Sequence, residues 1–187
     1  MSAWIENPIS LSDASARGAH FEGQLDAAQL PRLSALVAQS VEDAVRGESA
    51  PVKAKVALEF SPHTKPAFTA VSGQVDAQFG LICQRCLEMA PMSVSVDVAF
   101  ALCETDSPDD FLDGVSPQLT RWDHSGDEFR IAEFVDELVL LELPLVVMHE
   151  DEADCGKLAA EARFADNGQD VQTPFAELAT LLASKTS

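Results

Sequence analysis

The run VSGQVDAQFGLIC, residues 71–83, decides how the rest of the chain reads. Val71, Gly73, Val75, Ala77, Phe79, Leu81 and Cys83 fall on one side of a two-residue repeat, against Ser72, Gln74, Asp76 and Gln78 on the other. Such alternation is the mark of a strand with one face dry and one wet. The same period appears upstream, where Val52, Ala54, Val56, Leu58 and Phe60 alternate with Lys53, Lys55, Ala57 and Glu59. It appears again downstream in Val94, Val96, Val98, Phe100 and Leu102. Ser61-Pro62-His63 reads as a turn between the first two runs. Three such runs joined by short links predict an antiparallel sheet, able to curl towards a barrel.

Helical spacing flanks these strands. Leu33, Leu36, Val37, Val41, Ala44 and Val45 follow a helical stripe behind Pro31, which predicts a helix near 30–46 with Gly47 as its stop. Ile131, Phe134, Val135, Leu138, Leu141 and Leu143 predict a second over 131–143, closed by Pro144, with Glu133, Asp136, Glu137 and Glu142 on its wet side. A short helix is expected near 174–183 behind Thr173-Pro174, and a short strand over His20–Leu25. The fold class is therefore α+β, read as a single domain over 1–187. Residues 1–19 are expected to form an extended lead-in, and the acidic stretch 104–128 a long loop.

The 187 residues carry 12 Lys and Arg against 31 Asp and Glu, a net charge of −19. A chain of this sign does not coat nucleic acid or anionic membranes by charge alone. The imbalance is local. Residues 49–90 hold Lys53, Lys55, Lys65 and Arg85 against Glu59, Asp76 and Glu88, whereas nearly all of the acidic excess lies beyond residue 90. Those four basic residues are the candidate contact patch for RNA or a partner; the bland alternative is a solvated face. The first twenty residues have no basic start followed by an apolar run, and the apolar stretch Leu138–Met148 is broken by Glu142 and Pro144. A cytoplasmic chain with reduced thiols and no membrane partner is the expectation.

The sharpest chemical feature is Cys83-Gln84-Arg85-Cys86. Two thiols three positions apart can grip one metal ion or form a redox pair. Redox chemistry calls for a strand-to-helix setting, while a strand followed by a turn suits a zinc knuckle. Zinc needs two more ligands, and His149 and Cys155 are the available pair. The alternatives are two structural thiols, with His149 a loop histidine and Cys155 a small packing residue. Cys103 reads as packing. Glu150, Asp151, Glu152 and Asp154 read as a solvated acidic loop, because they lack the ligand spacing of a calcium loop. No GxGxxG, GxSxG or HExxH occurs, so enzymatic chemistry has little to stand on beyond a Cys86–His149 nucleophile pair.

Three blocks in order are CQRCLEMAP after an alternating strand, FVDELVLLELPLVVMHEDEADC, and TPFAELATLLASK. Together they resemble the YceD family, the large ribosomal RNA subunit accumulation proteins. The resemblance implies a bacterial-type cytoplasmic factor for synthesis, processing or stability of large-subunit ribosomal RNA, with no enzymatic activity. Some members carry a second CxxC where this chain has His149 and Cys155, so Cys83, Cys86, His149 and Cys155 are the matching positions for zinc. Charge adds that the expected partner is a ribosomal or assembly protein with a basic surface, the RNA being reached through it or directly through Lys53, Lys55, Lys65 and Arg85. The competing expectation is a redox or other thiol-dependent enzyme built on the CxxC.

Overall fold

Strand periodicity, helix stripes and a few long-range hydrogen bonds account for the architecture of the computed structural model, which describes residues 3–43, 51–65, 67–108 and 118–155. In chain order the elements are α1 (Ala3–Glu6), β1 (Ile9–Ser10), α2 (Leu11–Ala16), β2 (His20–Asp26), α3 (Pro31–Asp43), β3 (Lys53–Thr64), β4 (Ala67–Ile82), β5 (Met89–Glu104), β6 (Thr120–His124), β7 (Glu128–Phe129) and α4 (Ile131–Leu141). A 3₁₀ turn, Glu152–Asp154, follows. The expected α+β class holds. The main sheet has the order β2-β3-β4-β5-β6, and β1 pairs with β7 in a second, two-stranded sheet. β2 to β5 are antiparallel neighbours, whereas β6 lies parallel to β5.

Two sheet expectations need correction. The sheet does not curl into a barrel; it stays open, with β2 and β6 as its edges. Nor is Ser61-Pro62-His63 a turn: β3 continues to Thr64. Beyond Phe60, whose amide still donates to the Ala19 carbonyl, the strand pairs with β4 alone, so Pro62, which has no N–H to donate, sits where the other neighbour is absent.

One face of the sheet carries the core. Val56, Leu58, Phe60, Val71, Val75, Phe79, Val96, Val98 and Leu102 are buried beneath helices α2, α3 and α4. Ring contacts cross this layer in sequence, edge-to-face from Trp4 to Phe21 (5.9 Å between centroids), Phe60 (5.5 Å) and Phe129 (6.1 Å), then tilted to Phe134 (5.4 Å). Phe134 also meets Phe100 and Trp122. The other face is polar and open along its middle, and carries a small buried cluster of Phe68, Ala101 and Cys103 towards the end of β5. Across it Lys55 pairs with Asp76, and Asp76 with Ser95, whose hydroxyl donates to the Asp76 carboxylate at 2.7 Å. Gly73 sits in the middle of β4 at φ +146°, where an added Cβ would run into the Ala57 carbonyl. No other residue type fits there without displacing β3.

The lead-in is not extended. It holds α1, β1 and α2, and its anchors lie far along the chain. The Trp4 ring packs over Gly23. The Leu11 and Ser12 amides donate to the main-chain oxygen and the carboxylate of Asp127, at 2.8 and 2.7 Å. Hydrogen bonds from Ser10 and Ser12 in turn hold the Asp127 carboxyl below its usual range. The acidic loop is also shorter than expected. Thr120–His124 forms β6 because Trp122 packs against Phe100 and Phe134, and Arg121 donates to the carbonyls of Ser107 and Pro108. The helix expected near 174–183 lies outside the described residues, as do the last residues of the one expected over 30–46. α4 ends at Leu141, two residues short of the expected end.

Asp136 is the clearest departure from the helical wheel. It is not on the wet side: it is 2% exposed and caps α3. Its two carboxylate oxygens accept the amides of Arg32 and Leu33 at 2.9 and 3.0 Å. The first-turn amides of a helix have no intrahelical partner, and they carry the positive end of its dipole. A buried carboxylate from α4 meets both needs and locks α4 to α3. Asp136→Ala is expected to lower unfolding free energy by about 2–3 kcal/mol in urea melts, because two buried amides are left unpaired. Gly73→Ala is expected to cost at least about 1–3 kcal/mol through backbone strain alone. Unchanged midpoints would contradict both assignments.

Candidate metal centre

The β4–β5 connection is short enough to force its two cysteines together. The strand ends at Ile82, and β5 starts at Met89. Between them the Cys83 amide donates to the Glu88 carbonyl, and the Leu87 amide to the Cys83 carbonyl, both at 2.9 Å. Leu87 closes the loop in the left-handed region, φ 58°, where a side chain is disfavoured. Cys83 and Cys86 both end up buried, against Ala90 and Val147. No helix begins here, so the setting that redox chemistry with a CxxC requires is missing from this loop.

The other half of the site arrives from the chain leaving α4. The Gln84 amide donates to the Val147 carbonyl at 2.9 Å, which stitches the cysteine loop to that chain. His149 follows, with Nε2 3.2 Å from the Met89 carbonyl. A carbonyl can only accept, so Nε2 carries the proton and Nδ1 presents its lone pair. That lone pair faces Cys86 Sγ at 3.5 Å and Cys155 Sγ at 3.7 Å. Cys155 returns to the site because the chain reverses around Asp151, whose carbonyl and carboxylate accept the Asp154 and Ala153 amides.

The four donor atoms of Cys83, Cys86, His149 and Cys155 lie within 4.8 Å of one another. Zinc bonds of 2.3 Å to sulfur and about 2.0 Å to nitrogen at the tetrahedral angle put donors about 3.3–3.8 Å apart. The observed Sγ–Nδ1 separations fall in that range. A second hydrogen bond that fixes the ring of a ligating histidine, here to Met89, is also a feature of metal sites. The group can therefore hold a metal ion such as zinc.

Electrostatics divide the thiols. Burial pushes Cys83 up, but the amides of Cys86, Arg85 and His149, with the His149 ring, bring it down to about 6. Burial and the neighbouring Cys86 and Cys83 push Cys155 up to about 11. Near neutral pH one thiolate thus stands ready, and a cation must displace at least the Cys155 proton. Arg85 lies over the cluster, with its guanidinium 3.9 Å from Cys155 Sγ and 3.5 Å from Met148 Sδ. Three thiolates, one neutral imidazole and a divalent cation sum to one negative charge, which Arg85 offsets.

Other sequence candidates separate. Lys53 and Lys55 project from the open polar face of β3 beside Gln24 and Asp76. Lys65 follows the last residue of β3, ten positions from Lys55 and so about 30 Å away along an extended strand. Arg85 belongs to the thiol cluster. The four do not make one patch. Cys103 packs with Phe68 and Ala101 near the far end of β5, and burial raises its pKa. Cys86 has a histidine partner, but at 1% exposure it is closed to the substrate a nucleophile must reach. The sequence points to the four side chains that come together here. It does not point to Arg85 as their counter-charge, or to Met89, whose contribution is a main-chain oxygen.

The family model described as "Large ribosomal RNA subunit accumulation protein YceD" matches residues 71–182. The chain belongs to the YceD family. All four donors lie inside the matched region, as do β5, β6 and α4, while Lys53, Lys55 and Lys65 lie outside it. No curated protein and no solved structure gives a significant match. The family description places the chain in the setting of large-subunit ribosomal RNA. No described helix is long and apolar enough to cross a membrane.

Cobalt(II) titrated into the reduced YceD chain is expected to bind once per chain, with the visible absorption of a tetrahedral sulfur-rich site. Cys83→Ser or His149→Ala is expected to weaken binding by at least about a hundredfold, since supporting partners alone are worth 10–100-fold. Affinity should rise with pH, because the Cys155 proton must leave. An octahedral spectrum, or affinity indifferent to Cys155→Ser, would rule out the four-donor site.

Proposed function

We propose that this chain supports the synthesis, processing or stability of large-subunit ribosomal RNA by binding a basic ribosomal or assembly protein, with no reaction of its own. The match of residues 71–182 to the YceD family carries this reading. Charge supplies the choice of partner. A net charge of −19 repels phosphates, and Lys53 and Lys55 share their face with Asp76 and Glu59. A basic ribosomal protein carries the opposite sign before it meets RNA, and an acidic surface can cover it until handover. Zinc held by Cys83, Cys86, His149 and Cys155 has a structural role in this reading: it fastens the segment after α4 to the β4–β5 loop. The cytoplasm is where this work takes place.

Loss of the chain from growing cells is expected to lower mature large-subunit ribosomal RNA relative to small-subunit RNA. The wild-type chain should remain bound to at least one ribosomal or assembly protein after nuclease treatment, and purified chain should show no measurable affinity for ribosomal RNA fragments near 150 mM salt. Loss of every protein partner on nuclease treatment, together with RNA binding that Lys53→Glu and Lys55→Glu abolish, would replace this reading with direct RNA contact.

A further inference from the structure

The chain between α4 and the thiol cluster exposes an unusual amount of apolar surface. Leu141 is 68% exposed, Leu145 104%, Val146 55% and Met148 47%. Single exposed apolar residues are ordinary; four within eight positions are not. Their exposure follows from how the segment is tethered. Leu143 and Val147 turn inward onto the core, and the Val147 carbonyl and the His149 ring are tied to Gln84 and Met89. The residues between them are left facing out on a backbone held at both ends. Every charged side chain between residues 131 and 155 is acidic, and Glu142, Glu150, Asp151 and Asp154 on the flanks are exposed; from the cysteine loop, Arg85 reaches the Met148 end of the segment, 3.5 Å from its Sδ.

We propose that Leu141, Leu145, Val146 and Met148 form a docking strip for a protein segment that combines apolar side chains with Lys or Arg. The inference rests on the reading that the chain works by binding a basic protein, and it names the surface that does so. Apolar anchors enter the strip, and the flanking carboxylates select cationic partners over anionic ones. RNA is excluded by the same carboxylates, and no aromatic ring is present on the strip to stack a base. A purely apolar partner would leave the flanking charge without use. Both ends of the strip are fixed, so little ordering entropy opposes docking.

The test uses the full chain with a benzoyl-phenylalanine crosslinker at position 145. Three probes are offered: a peptide of alternating Leu and Lys, its Leu and Glu counterpart, and a single-stranded RNA oligonucleotide. The Leu–Lys peptide should bind and crosslink, and the other two should do neither. Leu145→Ser with Val146→Ser should weaken binding at least about tenfold. Glu142→Gln with Glu150→Gln should weaken it less, by an amount that fades in high salt. These side chains are exposed, and unchanged urea midpoints will show that the fold is retained. Equal peptide binding by the Leu145→Ser, Val146→Ser chain overturns the proposal. So does a crosslink from position 145 to RNA, to a second copy, or to residues 156–187 of the same chain. A parallel arm measures nuclease-resistant association with nascent large subunits. If the wild-type chain lacks it, the functional reading fails; if wild type and the strip variant keep it equally, only the strip fails.

Discussion

Cys86 and His149 are 63 residues apart in the chain, and their side chains meet at 3.5 Å. Closing a loop of that length costs roughly 4 kcal/mol of chain entropy. The sheet supplies the closure. β4 and β5 present the cysteine loop at one end, and α4, packed across the inner face, directs the outgoing chain to the same end. The Gln84–Val147 and His149–Met89 hydrogen bonds complete the approach. The thiol cluster and the segment beside it both depend on this junction. It orients the imidazole, gathers the thiols, and holds the exposed segment between Leu141 and Met148 in one conformation.

Charge and structure are arranged to the same end. Glu133, Glu137, Glu142, Glu150, Asp151 and Asp154 stand on the surface, whereas Asp136 is buried and caps α3. Arg85, exposed on the cysteine loop, reaches over this region with its guanidinium 3.9 Å from Cys155 Sγ. At physiological ionic strength screening acts over about 8 Å, so the carboxylates beside the apolar strip influence a docked partner while those elsewhere hardly do. A folded surface that is apolar in the middle and anionic at its margins is selective for cationic, amphipathic protein segments.

Local pattern carried the sheet and the site, and distant contacts carried what the pattern missed. The two-residue repeat marked β3, β4 and β5 because each has one dry face. The CxxC stood out because its spacing is itself chemical, and His149 and Cys155 were the donors left to join it. A helical wheel puts Asp136 in solvent because it does not record that the start of α3 needs two acceptors. The lead-in reads as extended in the sequence because its partners, Gly23, Asp127 and Phe129, come later in the chain. β6 is hidden in acidic sequence, and the ring contacts of Trp122 with the hydrogen bonds of Arg121 to Ser107 and Pro108 explain it. Lys53, Lys55, Lys65 and Arg85 are near in sequence, but a strand twelve residues long separates the hairpin tip from the rest.

Hydrogen exchange at the Gln84 amide tests the junction most directly, because that amide donates to Val147 and reports whether the two segments are joined. The zinc-loaded chain should protect Gln84 and residues 143–149. Chelation should release that protection while the interior of β3, β4 and β5 stays protected. Identical exchange at Gln84 with and without zinc would contradict the account, because the metal would then have no part in holding the segment.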